Sequence, residues 1–179
     1  MYAHGKTTDR LLIRKLEESD IVYWKDFFVN NPMLPYLGID ETLSPEQNAR
    51  EWIDMQFKRY EENRFGHHAL ITKDTNEFVG MCGLLTQTIE DTLEIEIGYS
   101  LLPKYWGRGY ASEAAQFFRD FGFEHENLDQ IISVIDIRNS ASQKVAVRNG
   151  MFIDRQIKYF DLDVYIYQIT KEEWKKLKV

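Results

Sequence analysis

Two glycines set one residue apart, in Lys104-Tyr105-Trp106-Gly107-Arg108-Gly109, are the residues of this chain whose spacing points most directly to chemistry. Lacking a Cβ, each lets the backbone turn sharply and lets a ligand approach it closely. The residues after them change period. Ala111, Ala114, Ala115, Phe118 and Phe121 recur at three- and four-residue steps, as on the buried face of a helix. A helix that starts at such a turn leaves its first N–H groups unpaired, with the positive end of the helix dipole behind them. That arrangement takes a phosphate or diphosphate, and Lys104 and Arg108 add charge beside it. The same six residues also suit a plain strand-to-helix connection.

Other residues offer narrower chemistry. Glu94 and Glu96, just before the turn, are carboxylates able to take a proton or attract a cation. Asn139 and Ser142 stand at a strand end and a helix start, where both residue types serve as caps. His67 and His68 are neighbours in a strand and so point to opposite faces. That pattern puts one in solvent and the other partly inside, with no second ligand motif that would make a metal site. Cys82 is the sole cysteine, which excludes an internal disulfide and reads as a small core residue.

The elements that must position these residues follow from periodicity. Leu93, Ile95 and Ile97 alternate with Glu94, Glu96 and Gly98, as in a strand with one buried face. Upstream, Leu11 to Leu16 reads as a first strand. Ser19 or Asp20 then caps a short helix carrying Ile21, Trp24, Phe27 and Phe28. Pro32 and Pro35 break that helix, and Asn31 to Leu43 reads as a partly apolar loop. Ser44, Pro45 and Gln47 open a second helix as a capping box, with Ala49, Trp52, Ile53, Phe57 and Tyr60 facing inward. His68 to Thr72 and Phe78 to Thr86 form a hairpin around Lys73-Asp74-Thr75-Asn76. Downstream of the glycine turn and its helix, Gln130 to Asp136 is a strand, and Ser140 to Arg148 a helix ended by Asn149-Gly150. Arg155 to Phe160 and Val164 to Ile169 close the chain as a hairpin around Asp161-Leu162-Asp163. The charged tail holds a short amphipathic helix whose Trp174 and Leu177 cap the core or meet a partner chain. The order β-α-α-β-β-β-α-β-α-β-β predicts an α/β (α+β) fold: a mixed, mostly antiparallel central sheet of about seven strands with helices on both faces.

At 179 residues, with 44% hydrophobic and 14% aromatic residues, the chain fits one domain spanning residues 1–179. No stretch has the apolar length of a membrane span or a signal core, so the expectation is a cytoplasmic protein without a membrane partner. A net charge of −7 argues against nucleic acid as a partner and is compatible with a cationic substrate.

The glycine turn resembles the acetyl-CoA signature of the GNAT acetyltransferases: Gln or Arg, two residues, Gly, one residue, then Gly or Ala. The first position departs from the pattern, since Lys104 carries the charge without the fork of an arginine. The predicted element order is also similar to the GNAT order. Three further stretches resemble the branch of that family that acetylates ribosomal-protein α-amino groups. They are Glu96-Ile97-Gly98-Tyr99, then Trp106-Gly107-Arg108-Gly109-Tyr110-Ala111-Ser112-Glu113-Ala114, and Asn139 to Ser142 with its helix and Gly150-Met151-Phe152.

The resemblance implies acetyl-CoA as cosubstrate, no metal, and an amine acceptor, either a peptide N-terminus or a small molecule, in a monomer or homodimer. It places Tyr99, Ser100, Leu101 and Leu102 along a slot where two strands splay and pantetheine lies, with Leu101 facing it. The turn that holds the diphosphate is then Lys104 to Ala111, including Trp106, Gly107, Arg108, Gly109 and Tyr110. Asn139 falls on the pantetheine and Ser142 near the sulfur, as the proposed donor to the departing thiolate. Tyr99 and Tyr159 are rival phenol donors. Glu96 matches the family's glutamate, either as general base or as a strand glutamate that attracts a cation. A non-catalytic CoA-binding domain on the same fold is the alternative that these residues leave open.

Overall fold

The computed structural model describes residues 2–39 and 42–178. Eight strands form it: β1 (Lys6–Thr7), β2 (Leu11–Arg14), β3 (His67–Thr72), β4 (Phe78–Ile89), β5 (Thr92–Leu101), β6 (Gln130–Asp136), β7 (Phe152–Tyr159) and β8 (Leu162–Thr170). They make one sheet in the order β1-β2-β3-β4-β5-β6-β8-β7. Every neighbouring pair is antiparallel except β5 and β6, which run parallel and share the single register pair Glu96↔Ile132. Past Glu96 the two strands part.

Among the described residues five α-helices accompany the sheet: α1 (Ile21–Trp24), α2 (Pro45–Glu61), α3 (Tyr110–Glu124), α4 (Ser140–Arg148) and α5 (Lys171–Leu177). The start of α2 is the expected capping box. The Gln47 N–H donates to Ser44 Oγ at 3.2 Å and the Ser44 N–H donates to Gln47 Oε1 at 2.9 Å. β4 and β5 join through Glu90 and Asp91, both left-handed at φ +47° and +66°, a two-residue turn whose twist suits a hairpin. α5 docks on α3, with Trp174 stacked on Phe123 at 5.2 Å and donating to Asp120 at 2.7 Å. No helix among the described residues is long and apolar enough to cross a membrane.

Several expectations are corrected. The sheet has eight strands, because Lys6–Thr7 pairs with Leu12 and Ile13; two residues are too few to show alternation. α1 has only four helical residues between two 3-10 turns, and Asp20 stands at its N-cap position without a side-chain bond into the helix. Asp20 is buried instead, where it accepts from the Glu17 N–H at 2.8 Å and pairs with Arg14 at 2.7 Å. The last hairpin turns at Phe160-Asp161, since Tyr159 already pairs with Leu162. Both histidines are buried, at 5% and 2% exposure. Trp52 of α2 covers the face of His67 and Phe118 of α3 covers that of His68, so the sheet is roofed on both sides.

The largest correction concerns β5. Leu93 is 70% exposed, whereas Glu94 and Glu96 are 7% and 9% exposed. The β6 and β7 end of the sheet reaches over the glutamate face. Gln130 donates to Glu94 at 2.7 Å, Arg155 pairs with Glu94 at 3.6 Å, and the Val134 N–H donates to Glu96 at 3.3 Å. A small apolar cluster, Ile89, Ile132, Val164 and Ile166, seals that side, apart from the main core around Trp24, Ile53, Met81 and Phe118.

Candidate active site

β5 ends at Leu101, a tight turn spans Pro103–Tyr105, and Gly107 and Gly109 lead into the 15-residue α3. Both glycines are left-handed, at φ +73° and +84°, a conformation costly to any residue with a Cβ. The turn is braced from outside. Arg10 donates to the Arg108 carbonyl at 2.9 Å and to Glu113 at 2.6 Å, and Glu113 also accepts from the Arg10 N–H at 2.8 Å. Burial alone would raise the Glu113 pKa, yet hydrogen bonds from Thr8 and Arg10 hold it below the ordinary carboxylate value. The first backbone bond of α3 runs from Glu113 to Gly109, so the N–H groups of Tyr110, Ala111 and Ser112 project from the helix start.

They project into a cavity of about 510 Å³ between the end of β5 and the first turns of α3 and α4. The cavity opens where β5 and β6 separate. Ser133 Oγ donates to the Ile97 carbonyl at 3.0 Å and Trp106 Nε1 donates to the Leu101 carbonyl at 2.7 Å. By strand alternation the Tyr99 peptide faces the same edge between them. The other edge is fixed by Gly80, where a Cβ would lie 2.3 Å from the Ser100 carbonyl, so β4 presses directly on this part of β5.

Across the cavity stands α4. Asn139 Oδ1 accepts from the Ser142 N–H at 3.1 Å and caps the helix. The Tyr99 hydroxyl donates to the Ser142 carbonyl at 2.9 Å, and burial pushes that phenol above its ordinary pKa. Ser142 also lines the cavity, with its hydroxyl beside the Tyr99 phenol.

Of the residues singled out in the sequence, Tyr99, Leu101, Trp106, Gly107, Gly109, Tyr110, Ala111, Asn139 and Ser142 line this one cavity. Leu102, Lys104 and Arg108 do not. Leu102 is buried against the far side of Tyr105, and Lys104 and Arg108 lie over the Tyr105 ring at 4.9 Å and 5.5 Å. Two cations that the sequence reading passed over, Lys144 and Arg148, line the cavity instead. Their signal was present: Ala141, Lys144, Val145 and Arg148 fall at three- and four-residue steps on one face of α4.

Glu96 stands apart from this cavity, on the α2 face of β5. Gln87 donates to it at 2.8 Å. Burial raises its pKa, opposed by the hydrogen bonds from Gln87 and Val134 and by the charge of Arg59. Tyr159 is close enough to feel both Glu96 and Arg59, and burial raises its pKa as well. The loop read from Asn31 to Leu43 includes Asp40 and Glu41, which lie outside the described residues. Within the described part, Tyr36 of that loop lies under the Arg138 guanidinium at 4.9 Å, and Arg138 pairs with Asp136 at 2.6 Å.

A glycine turn at a helix start beside a parted parallel strand pair is the build of an acyltransferase fold, and the chain belongs to the GNAT acetyltransferases. Its sequence matches the Acetyltransferase (GNAT) domain over residues 10–152. It is 32% identical over 177 residues to the N-acetyltransferase p20 of Bacillus licheniformis, covering 93% of this chain and 96% of that one. The acetyltransferase of Agrobacterium tumefaciens str. C58 superposes with a TM-score of 0.78 at 25% identity, covering 94% of this chain and 95% of that chain. RimL, a ribosomal L7/L12 α-N-protein acetyltransferase solved with coenzyme A, shares the fold at a TM-score of 0.73 and 18% identity, covering 93% and 97%. The chain is therefore an acetyl-transferring enzyme of a family that uses acetyl-CoA. Among the described residues no group of three or more His, Cys, Asp or Glu could hold a metal ion.

Proposed function

We propose that this single-domain chain transfers an acetyl group from acetyl-CoA directly to a primary amine in a ternary complex. The observation that carries the reading is the continuous cavity from the left-handed glycine turn to the parted edge of β5. The residues present fit the cosubstrate. The free N–H groups of Tyr110, Ala111 and Ser112 suit a diphosphate, and Lys144 and Arg148 supply positive charge along the same wall.

Bound acetyl-CoA supplies a thioester whose carbonyl carbon is the electrophile. The Tyr99 N–H, facing the gap in β5, is placed to stabilise negative charge growing on an oxygen there. Ser142 serves as the donor toward a departing sulfur, because it lines the cavity while the Tyr99 hydroxyl donates to the Ser142 carbonyl. The acceptor amine must be neutral to attack. An α-amino group, with a reference pKa of about 7.7–8.0, needs less help than a lysine at about 10.4. Glu96 takes the role of base or of amine-holding carboxylate, since burial raises its proton affinity. The acceptor reaches it between the Tyr36 loop and the β7–β8 turn. A peptide N-terminus is the class that the likeness to RimL supports; a small amine suits the same chemistry.

The test is release of free thiol from acetyl-CoA with peptides of varied N-termini, polyamines and aminoglycosides. Turnover with one class is expected. Tight acetyl-CoA binding with no turnover on any of them would overturn the catalytic reading.

A further inference from the structure

His67 is the buried polar side chain that the cavity and the fold leave unexplained. Its backbone is clamped twice by α2: its N–H donates to Gln56 Oε1 at 2.9 Å, and its carbonyl accepts from the Tyr60 hydroxyl. Neither ring nitrogen makes a well-formed hydrogen bond, the ring meeting the Gly98 backbone instead, although the residue is 5% exposed. Buried polar groups in native proteins are nearly always paired, so an orphaned imidazole at so well-fixed a position calls for a reason.

The register supplies one. His67, Gly83 and Gly98 stand side by side across β3, β4 and β5. A Cβ on Gly83 would lie 2.9 Å from His67 Cα, and a Cβ on Gly98 would lie 2.8 Å from His67 Nε2. Gly98 does not have a positive φ, so its backbone does not demand glycine. The two glycines clear a lane along which the imidazole reaches from β3 to β5. It arrives two residues from Glu96 on the same face, at the half-buried residue where β5 begins to part from β6. Trp52 lies nearly parallel to the ring, 6.4 Å away at 18°, as a wall.

We propose that His67 binds the acceptor, its Nε2 lone pair accepting a hydrogen bond from the incoming amine on the Glu96 side of the β5–β6 splay. The inference rests on the N-acetyltransferase reading. A neutral imidazole is required for that role, because an imidazolium has no lone pair to offer and repels an ammonium. Burial, the Arg59 charge and His68 outweigh the Gly98 backbone, which favours the protonated ring, and keep it neutral with a pKa lowered to about 3. Glu96 and His67 then hold one nitrogen from two directions and aim its own lone pair into the gap.

The experiment compares wild type with His67→Phe, which keeps a flat ring without nitrogens, and His67→Asn, which restores an acceptor oxygen. Thiol release is measured on the amine panel at saturating acetyl-CoA. His67→Phe is expected to lower kcat/KM for the amine at least about tenfold, the size of a lost hydrogen bond to a charged or reacting group. The KM for acetyl-CoA stays unchanged, and His67→Asn recovers part of the loss. A His67→Phe enzyme with wild-type kcat/KM for the amine overturns the proposal, as does an equal loss in both variants. Should His67→Phe not fold, Gly98→Ala is the second arm. Its methyl group displaces the ring while leaving the glycine turn intact, and unchanged amine kinetics there overturn the proposal too. Absence of turnover in wild type removes the N-acetyltransferase reading and this inference with it, whereas wild-type turnover matched by His67→Phe removes only the inference.

Discussion

Glu96 shows how much of a residue's chemistry depends on what covers it. Alternation along β5 puts it on the face opposite Ile95 and Ile97, which a sequence reads as the wet face; in the fold β6 and β7 close over it and leave 9% exposed. The carboxylate keeps hydrogen bonds from Gln87 and Val134, so it is held in place while burial raises its proton affinity. Glu96→Gln is expected to lower kcat by about a hundredfold, the lower end for loss of a general base. It should also remove the acid limb of the kcat profile; an unchanged limb would show that Glu96 only attracts the substrate. Stability moves the other way. A carboxyl whose folded pKa is raised favours the folded state at low pH and loses that contribution as pH rises. The glutamine variant should therefore gain melting temperature over wild type as pH rises past the ordinary carboxylate value of about 4.3, the margin growing until the raised folded value is passed. Trp106 sets a gentler case. Its indole donates to the Leu101 carbonyl, and Trp106→Phe forfeits a hydrogen bond worth about 1 kcal/mol. A few-fold rise in KM for acetyl-CoA, with kcat little changed, is the expected readout.

At the scale of elements, the glycine turn and α3 act as one device. Gly107 has open space around its missing side chain, so the protein itself does not exclude a Cβ there. The positive φ does, at about 1–3 kcal/mol for an ordinary residue, and the ligand does, since Gly107 lines the cavity. Gly107→Val should leave a folded protein whose melting temperature no longer rises with acetyl-CoA, because only a ligand bound to the native state stabilises it. A normal ligand-induced shift would count against the phosphate cradle. This device was legible in the sequence because a strand period, a Gly-x-Gly and a helix period follow one another within a few residues. The α2 capping box was legible for the same reason, being written in adjacent positions. What could not be read were properties created by pairing across the fold. Glu94 and Glu96 are buried by strands that follow more than thirty residues later in the chain. β1 exists only because β2 offers it an edge, and Lys144 and Arg148 matter only because α4 is laid beside the start of α3. The lane that lets His67 reach β5 joins glycines on two different strands, which no local window contains.

For the whole molecule, a sheet covered on both faces has a cost that acid should expose. His67 and His68 are both buried and neutral, with pKa values lowered to about 3 and about 4, first by burial. His68 also uses Nε2 to accept the Ala3 N–H at 3.1 Å, so protonation there would release the N-terminal segment. The unfolded chain takes up both protons near the ordinary histidine pKa of about 6.5. A folded pKa below the unfolded one means that stability is complete above about pH 6.5 and is lost as pH falls toward the folded values. Glu113 and Asp136, held below the ordinary carboxylate range, add losses of the same sign at lower pH, while Glu96 opposes them. Between pH 6 and pH 4.5 each histidine contributes a slope of up to about 1.4 kcal/mol per pH unit, and Glu96 works against them. Denaturant unfolding across that range should therefore show uptake of about one proton fewer in His67→Phe than in wild type. Equal slopes in the two proteins would mean that His67 takes its proton without unfolding, and would place the imidazole within reach of water in the resting enzyme.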